Sequence, residues 1–525
     1  MRHRLAAAGV AVVLAAAAAS AQEGWEALRG VAVCDVRIEA AEVFDLDRPG
    51  ESHFLFRWAN ALHVRTRAHV IRRELLLDVG APFVPELAAE SERNLRALDI
   101  FQDVALLAER TADGVVLIVR TSDRWTTEVR TELRSQGGIS QVGFGLSDAN
   151  LLGRAFELGG GVTSSTDVDA ASARWRDPRL LGSRWAAGLS LRRDDLERSL
   201  AVGLEHPFYS ETVRWSAAAA FSRTRGDRRR FESGVEAERL AVTERIGDGF
   251  AALHVRGARL HRVAALYSQR HHNGDPSGDA ALLAVAWSSL ARRFHAARDV
   301  DLLGSVEDVA TGTTLQLGAG ADLRALGAAR DRSFVRADAG WARALGARAL
   351  FGVHVRQYAF VRRGELENAR AAVESFGYWQ TPGVQTLAWR IGAAALVDEP
   401  PDLRFNLGGD DRLRGYAARH LAGERCLYAS LEERLFSERR LFFLRWGAVV
   451  FVDAAAAWDR GEALARDKAR LGTGLGLRVA SNRAGSSLVG LDVAVGAGSV
   501  QVSVASGSFF RVARGLSYLD PRPFR

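Results

Sequence analysis

From about Asp123 onward the chain repeats one pattern: short segments in which apolar and polar residues alternate, separated by turns rich in Gly, Asp, Asn and Arg. Leu315, Leu317, Ala319, Ala321 and Leu323 alternate with Gln316, Gly318, Gly320 and Asp322. Leu471, Thr473, Leu475, Leu477 and Val479 alternate with Gly472, Gly474, Gly476 and Arg478, and Val489, Leu491, Val493 and Val495 with Gly490, Asp492 and Gly496. A period of two puts successive side chains on opposite faces, so these are strands with one apolar face and one face of glycine and charge. A soluble sandwich would turn the apolar face into a core. A transmembrane barrel turns it to lipid and keeps a polar lumen.

Three features favour the barrel. The segments run about 9–11 residues, the length a tilted strand needs to cross a bilayer. Their polar face mixes Gly and Ala with Arg and Asp, as a crowded lumen requires. The pattern also continues for about 400 residues, far beyond one sandwich. At about 25 residues per strand with its connection, this predicts a mainly β fold of about 16 antiparallel strands, closed because lipid satisfies no open edge. Asp492 and Arg478 read as lumen residues with a solvation role.

The 525 residues are 48% hydrophobic and 25% charged, enough for two to four domains. A mean hydropathy of −0.06 excludes a polytopic helical membrane protein. Cys34 and Cys426 are too few for a disulfide scaffold or a four-cysteine metal site, and they fall in different expected compartments, so no bridge is predicted. The net charge of +7 comes from arginines scattered along the chain, with Lys468 the sole lysine. Without a basic block, nucleic acid is not an expected partner. Arg2 and Arg4, an apolar run from Leu5 to Ala18, and Ala19-Ser20-Ala21 read as a signal peptide over 1–21.

Residues 22–122 read differently. Val33 to Val43 reads as a strand, Val70 to Leu77 as a helix broken by Gly80 and Pro82, and Pro85 to Leu98 as a second helix with Leu87, Ser91, Leu95 and Leu98 on one face. Phe101 to Leu107 and Val115 to Val119 read as strands around an Asp113-Gly114 turn. The order is strand, helix, helix, strand, strand. An extra stretch, Phe44 to Arg67, carries Phe54, Trp58 and Leu62 at intervals of four and reads as a short helix.

The run VIRRELLLDVGAPFVPELAAESERNLRALDIFQDV, Val70 to Val104, resembles a POTRA domain of the outer-membrane assembly superfamily, the BamA/TamA-like or bacterial surface antigen proteins. FNLGGDDRLRGY, Phe405 to Tyr416, resembles that family's sixth extracellular loop, whose tip reads V-R-G-F/Y. YASLEERLF (Tyr428 to Phe436) and FVDAAAAW (Phe451 to Trp458) resemble the two following strands, RLGTGLGLRV and SSLVGLDVAVG the closing ones, and SDANLLGRAF (Ser147 to Phe156) the second strand and its turn.

The resemblance implies a barrel over 123–525 behind a single periplasmic POTRA domain. It also implies a loop six, near 405–425, that folds back into the lumen. Carried over by position, the loop motif is Leu413, Arg414, Gly415 and Tyr416, and the carboxylates that receive Arg414 are Glu432 and Asp453. A guanidinium in a partly dehydrated lumen needs such partners. Three departures are visible: Leu413 replaces valine, Ala455 replaces the glycine of F-x-D-x-G, and Arg511 to Arg525 follow the aromatic pair Phe509-Phe510 that fits the closing position.

The implied function is insertion or translocation of client proteins at a bacterial outer membrane. The clients are unfolded or nascent outer-membrane or secreted proteins, the lipid bilayer is a partner, and accessory periplasmic or lipoprotein subunits are compatible. In this family the first and last barrel strands pair weakly, which gives a client strand a template. A passive channel or two-partner secretion pore is the alternative, and an outer-membrane enzyme a third reading. The sequence contains no G-x-S-x-G elbow, P-loop or dinucleotide fingerprint, so no catalytic residue and no cofactor is expected. His271 and His272 with Asp275 lie in HHNGDPSGD, which reads as a loop rather than a metal site.

Overall fold

The structure is a computed structural model. It describes residues 24–506 apart from 48–52, 137–138, 166–167, 233–234, 256–259, 274–278, 302, 304–305, 382–384, 399–403, 410–411, 418–419, 442–443 and 482–487. The signal peptide, Phe509-Phe510 and the tail 511–525 lie outside the described residues.

The N-terminal unit is a small α+β domain. It runs β1 (Val33–Ala41), α1 (Phe54–Leu62), α2 (Ala68–Glu74), α3 (Pro85–Ala97), β2 (Phe101–Arg110) and β3 (Val115–Asp123). The sheet order is β1-β3-β2, with β1 parallel and β2 antiparallel to β3. β3 is central because Val115 to Val119 is an unbroken apolar run, all of it buried. Helix α3 starts with Pro85 at its first turn and Glu86 beside the helix N-terminus. It buries Ala88, Ser91 and Leu95 against Ile71, Phe83 and Leu117. The extra stretch contains the short helix α1 read from the sequence.

Among the described residues, twenty strands follow in one antiparallel sheet. They are β4 (Thr127–Gln136), β5 (Ile139–Asp148), β6 (Glu157–Ser165), β7 (Ala170–Asp177), β8 (Ala186–Asp194), β9 (Glu197–His206), β10 (Trp215–Glu232), β11 (Val235–Val255), β12 (Leu260–Asn273) and β13 (Ala280–Arg298). Then come β14 (Val306–Asp322), β15 (Arg332–Ala344), β16 (Ala349–Arg362), β17 (Glu365–Gln380) and β18 (Gln385–Val397). A separate ladder, β19 (Phe405–Leu407) with β20 (Leu421–Gly423), interrupts the series, which resumes with β21 (Arg425–Leu441), β22 (Leu444–Trp458), β23 (Ala469–Ser481), β24 (Leu488–Gly496) and β25 (Ser499–Ser506). Each strand pairs with the next, and the order brings β25 back beside β4.

The count of about 16 is therefore corrected upward. The estimate assigned about 25 residues to each strand and connection, as longer-looped sheets need. Here Asp194 and Glu197, Arg362 and Glu365, and Gly496 and Ser499 are joined by two-residue turns, so the same length holds more strands. The strands are also less uniform than the pattern predicts, from 8 residues in β7 to 21 in β11.

The two faces separate as the alternation requires. Val142, Phe144 and Leu146 of β5, Val450 and Val452 of β22, and Val489, Leu491, Val493 and Val495 of β24 are exposed on the outside. Gln316, Asp338, Asp453, Arg478 and Asp492 are buried inside. Continuous exposed apolar bands of this extent mark contact with lipid or a partner. Among the described residues no helix is long and apolar enough to cross a membrane.

One hairpin departs from the wall. β12 pairs with β13 only as far as Leu260↔Leu290, and β15 pairs with β14 only from Gly312↔Ala342. Among the described residues, 291–298 and 306–311 therefore pair only with each other. Ala297, Val300, Val309 and Ala310 of this hairpin pack on Leu350, Phe376, Tyr378 and Ala388, and Leu303 packs on Phe436 and Ala480. The hairpin thus turns into the lumen from the domain side.

The domain is fastened to the same rim. Glu74, 1% exposed, accepts from Arg179 Nε (2.7 Å) and Nη2 (2.5 Å) in the turn between β7 and β8. Glu90 accepts from Ser210, and Arg96 donates to Asp308 of β14 (2.9 Å). Burial first, and then the charge of Arg179, lowers the pKa of Arg184, which also faces Glu74 at 3.7 Å. Glu74→Ala removes the carboxylate that stands between these two guanidiniums, a change of about 3–5 kcal/mol for a buried pair. We expect it to release the domain, read as faster proteolysis between β3 and β4 and faster amide exchange in α2. Unchanged exchange would refute the docking role.

Candidate functional site

The connection from Asp398 to Glu424 carries the loop expected to fold inward. Its stem is the β19–β20 ladder, in register from Phe405↔Gly423 to Leu407↔Leu421. The tip reverses tightly, with Arg412, Gly409 and Gly415 in the left-handed region (φ 62°, 67° and 89°) and Gly409 N donating to Tyr416 O at 2.9 Å. At Gly415 both the backbone and the space demand glycine: a Cβ there would lie 2.8 Å from the carbonyl carbon of Val495.

Arg414, 2% exposed, reaches the lumen wall with every side-chain nitrogen engaged. Nε donates to Asp453 Oδ2 (2.7 Å), Nη2 to Asp453 Oδ1 (2.9 Å) and Nη1 to Glu432 Oε1 (2.8 Å). The backbone N of Arg414 also donates to Asp453 Oδ2 (3.1 Å). The guanidinium lies 3.5 Å from the centroid of Phe451, one turn of the pleat from Asp453 on the same face of β22. Burying these ions costs several kcal/mol each, and only such bidentate, fully hydrogen-bonded pairing offsets it.

The groove that receives the tip is made of glycine. Arg414 O sits where a Cβ on Gly472 would be, at 2.0 Å, and the Tyr416 ring where a Cβ on Gly496 would be, at 2.3 Å. Tyr416 Oη donates to Leu471 O (3.0 Å), and Ser499 Oγ donates to Gly415 O (2.8 Å). Leu413 is fully buried in a cluster with Leu407, Tyr416, Cys426, Tyr428, Ala455 and Ala457. Ala455, which replaces the glycine of F-x-D-x-G, packs in this cluster, and the close backbone approach of the loop falls one strand further on, at Gly472.

All six residues singled out from the sequence are thus brought together. The structure adds four. Arg434, two residues beyond Glu432 on the same face of β21, donates through Nε to Glu432 Oε2 (2.9 Å) and through Nη1 to Asp301 Oδ1 (2.9 Å) and Val300 O (2.6 Å). Arg478 pairs with Asp492 (Nη2 to Oδ2, 3.0 Å), and Asp492 lies 3.7 Å from Arg414. Three guanidiniums, Arg414, Arg434 and Arg478, therefore face four carboxylates, Asp301, Glu432, Asp453 and Asp492. Through Asp301 the inward hairpin joins the cluster around Arg414.

A signal for Asp301 is present in the sequence. The pattern D-x-x-L-L-G occurs at Asp148, Asp177 and Asp299, and Asp301 belongs to the third copy. In the first two copies the second leucine, Leu152 or Leu181, is exposed at a positive φ of 57° or 51°. In the third, Leu303 is buried.

This arrangement clamps a loop against the wall. His271 pairs with Asp279 (2.8 Å) and His272 with Glu244 (2.9 Å), while Asp275 lies outside the described residues. Among the described residues Cys34 and Cys426 are free thiols.

Residues 366–490, from β17 to β24 and thus including the clamp, match the Omp85 superfamily domain. No curated protein matches the chain. Solved structures similar to it include BamA from Haemophilus ducreyi lacking POTRA domains 1–3, at 13% identity over 91% of this chain and 84% of that one, with a TM-score of 0.39. CdiB from Acinetobacter baumannii is similar at 12% identity over 91% and 73%, with a TM-score of 0.39. CdiB from Escherichia coli is similar at 11% identity over 91% and 76%, with a TM-score of 0.42.

Proposed function

This chain carries an Omp85 superfamily domain, and from that premise we propose that it is a closed outer-membrane β-barrel that inserts or translocates client proteins. The observation that carries the reading is the buried clamp of Arg414 on Glu432 and Asp453, inside the segment that matches the superfamily domain. In this reading the N-terminal α+β unit is a POTRA-type domain in the periplasm, and Leu413 to Tyr416 form the fold-back loop six.

The work done is physical rather than covalent. The clamp pins the loop against β21–β24 and keeps that wall rigid, so that the junction of β25 and β4 is the place left to open. An unfolded client brings strands whose backbone groups need partners in lipid, and an exposed strand edge supplies them. Strand pairing and burial of the client's apolar face in hydrocarbon drive the step. Accessory subunits would act from the periplasmic side, and no cofactor is required.

The test is reconstitution into liposomes and insertion of an unfolded barrel client, scored by protease protection. Wild type is expected to raise insertion well above empty liposomes, and Arg414→Ala to return it toward that baseline. Equal insertion in all three would refute the reading. Steady ion conductance without client insertion would instead assign a passive pore.

A further inference from the structure

Helix α1 is apolar on two faces. Phe56, Ala59, Asn60 and His63, spaced three and four apart, form the inner one. Phe56 packs with Val43, Phe44 and Trp125, Asn60 exchanges hydrogen bonds with the backbone of Phe44, and His63 Nε2 meets Asp123 at 2.9 Å. The second apolar face is uncovered. Phe54, Trp58 and Leu62, spaced four apart, are 61%, 66% and 55% exposed, and Val64 just beyond is 48% exposed. A helix apolar all round is normally buried in a core or in lipid.

The position of α1 says which. Its C-terminal flank is bonded to the first domain-side turn of the barrel: Arg67 N donates to Gly153 O (3.0 Å), Arg67 Nε to Leu152 O (3.2 Å) and Asn150 Nδ2 to Thr66 Oγ1 (2.8 Å). A Cβ on Gly153 would lie 3.4 Å from Val64 Cγ1, so exposed Val64 sits against this turn, which also carries exposed Leu152. Trp125, under the helix, leads directly into β4, whose first outward apolar residue, Val129, is only four residues on, about 13 Å along a strand. These bonds set α1 at the domain-side end of the barrel, beside the start of β4 and the turn between β5 and β6. Exposed Arg57 and Arg67 flank it, and Arg73, Arg67 and Arg154 add to partial burial in lowering the pKa of His69 nearby. An apolar strip with an aromatic at mid-helix and a basic border has the composition of a segment lying at the headgroup level.

We propose that α1 lies in the membrane interface on the domain side of the barrel, with Phe54, Trp58 and Leu62 among the acyl chains beside the junction of β4 and β25. The occupant of this face is the bilayer itself. The inference rests on the barrel spanning a membrane, and the test separates the two.

In full-length protein with Cys34→Ser and Cys426→Ala, a polarity-sensitive fluorophore is placed singly at Trp58→Cys, at Phe144→Cys on the outward face of β5, and at Glu109→Cys at the distal end of the domain. Each protein is reconstituted into vesicles of phosphatidylethanolamine and phosphatidylglycerol containing acyl-brominated lipid. The expected result is blue-shifted emission and bromine quenching at both 58 and 144, and neither at 109. Quenching at 144 with position 58 matching 109 overturns the inference and leaves the barrel reading standing. Absence of quenching at 144 overturns both. Because Trp58 is mostly exposed, its replacement removes no core contact. If label at 58 forms excimers without lipid quenching, the face belongs to a second copy of the chain, and the proposal fails.

Discussion

Arg414→Ala is expected to destabilise the barrel more than any other single side-chain removal in the lumen. It leaves Asp453 with no guanidinium partner among the described pairs and Glu432 with Arg434 alone. Removing one member of a buried ion pair costs about 3–5 kcal/mol, because the partner's charge stays buried. Asp453 is fully buried, so water does not reach it to compensate. The readout is the temperature at which the folded band is lost on unheated gel electrophoresis, with thermal unfolding in detergent as a second measure. Arg414→Lys should recover only part of the loss, since a point ammonium replaces a fork that serves two carboxylates at once. A variant that unfolds at the wild-type temperature would mean that the pair is solvated and the clamp idle.

Gly472→Val should eject the loop without touching any charge. The carbonyl oxygen of Arg414 stands 2.0 Å from the site of the new Cβ, and it is backbone, so it cannot rotate away. Overpacking of this kind costs about 1–3 kcal/mol, and here the loop is the part free to yield. The tip must lift by more than an ångström, which breaks the paired geometry of Arg414. Expected consequences are a protease-sensitive site in the loop and a rise in conductance across planar bilayers. Gly247→Ala, also in the sheet but with nothing within 4 Å of the new Cβ, should leave both unchanged. Equal behaviour of the two variants would show that the tip does not rest on β23.

The residues that make the clamp were legible through the resemblance of three runs, Phe405 to Tyr416, Tyr428 to Phe436 and Phe451 to Trp458, to one family's loop and following strands. Glu432 and Asp453 fall on the polar parity of their strands, and that parity follows from a period of two whatever the register. Arg478 and Asp492 were legible as lumen residues for the same reason, but their pairing was not, because it depends on which glycines lie opposite. Arg434 shares the parity of Glu432, yet one charge among several along a strand does not announce a partner on a distant turn.

The strand number was not legible either. Alternation locates strands but leaves turn length open, and two-residue turns such as that between Arg362 and Glu365 absorb the difference. Least legible was the inward hairpin. Ala297, Val309 and Ala310 read like any membrane wall, and only the missing neighbours of residues 291–298 reveal that this stretch leaves it.

That hairpin has a consequence for permeability. It enters the bore from one mouth while the loop carrying Arg414 enters from the other, and Asp301, Arg434, Glu432 and Arg414 lock the two stoppers together tail to tail. Neither cork can be drawn alone without stranding a charge on the other. At rest the duct should therefore be tight to ions, and whatever unseats the lower cork, such as a pull on the Arg96–Asp308 tether, loosens the upper one with it.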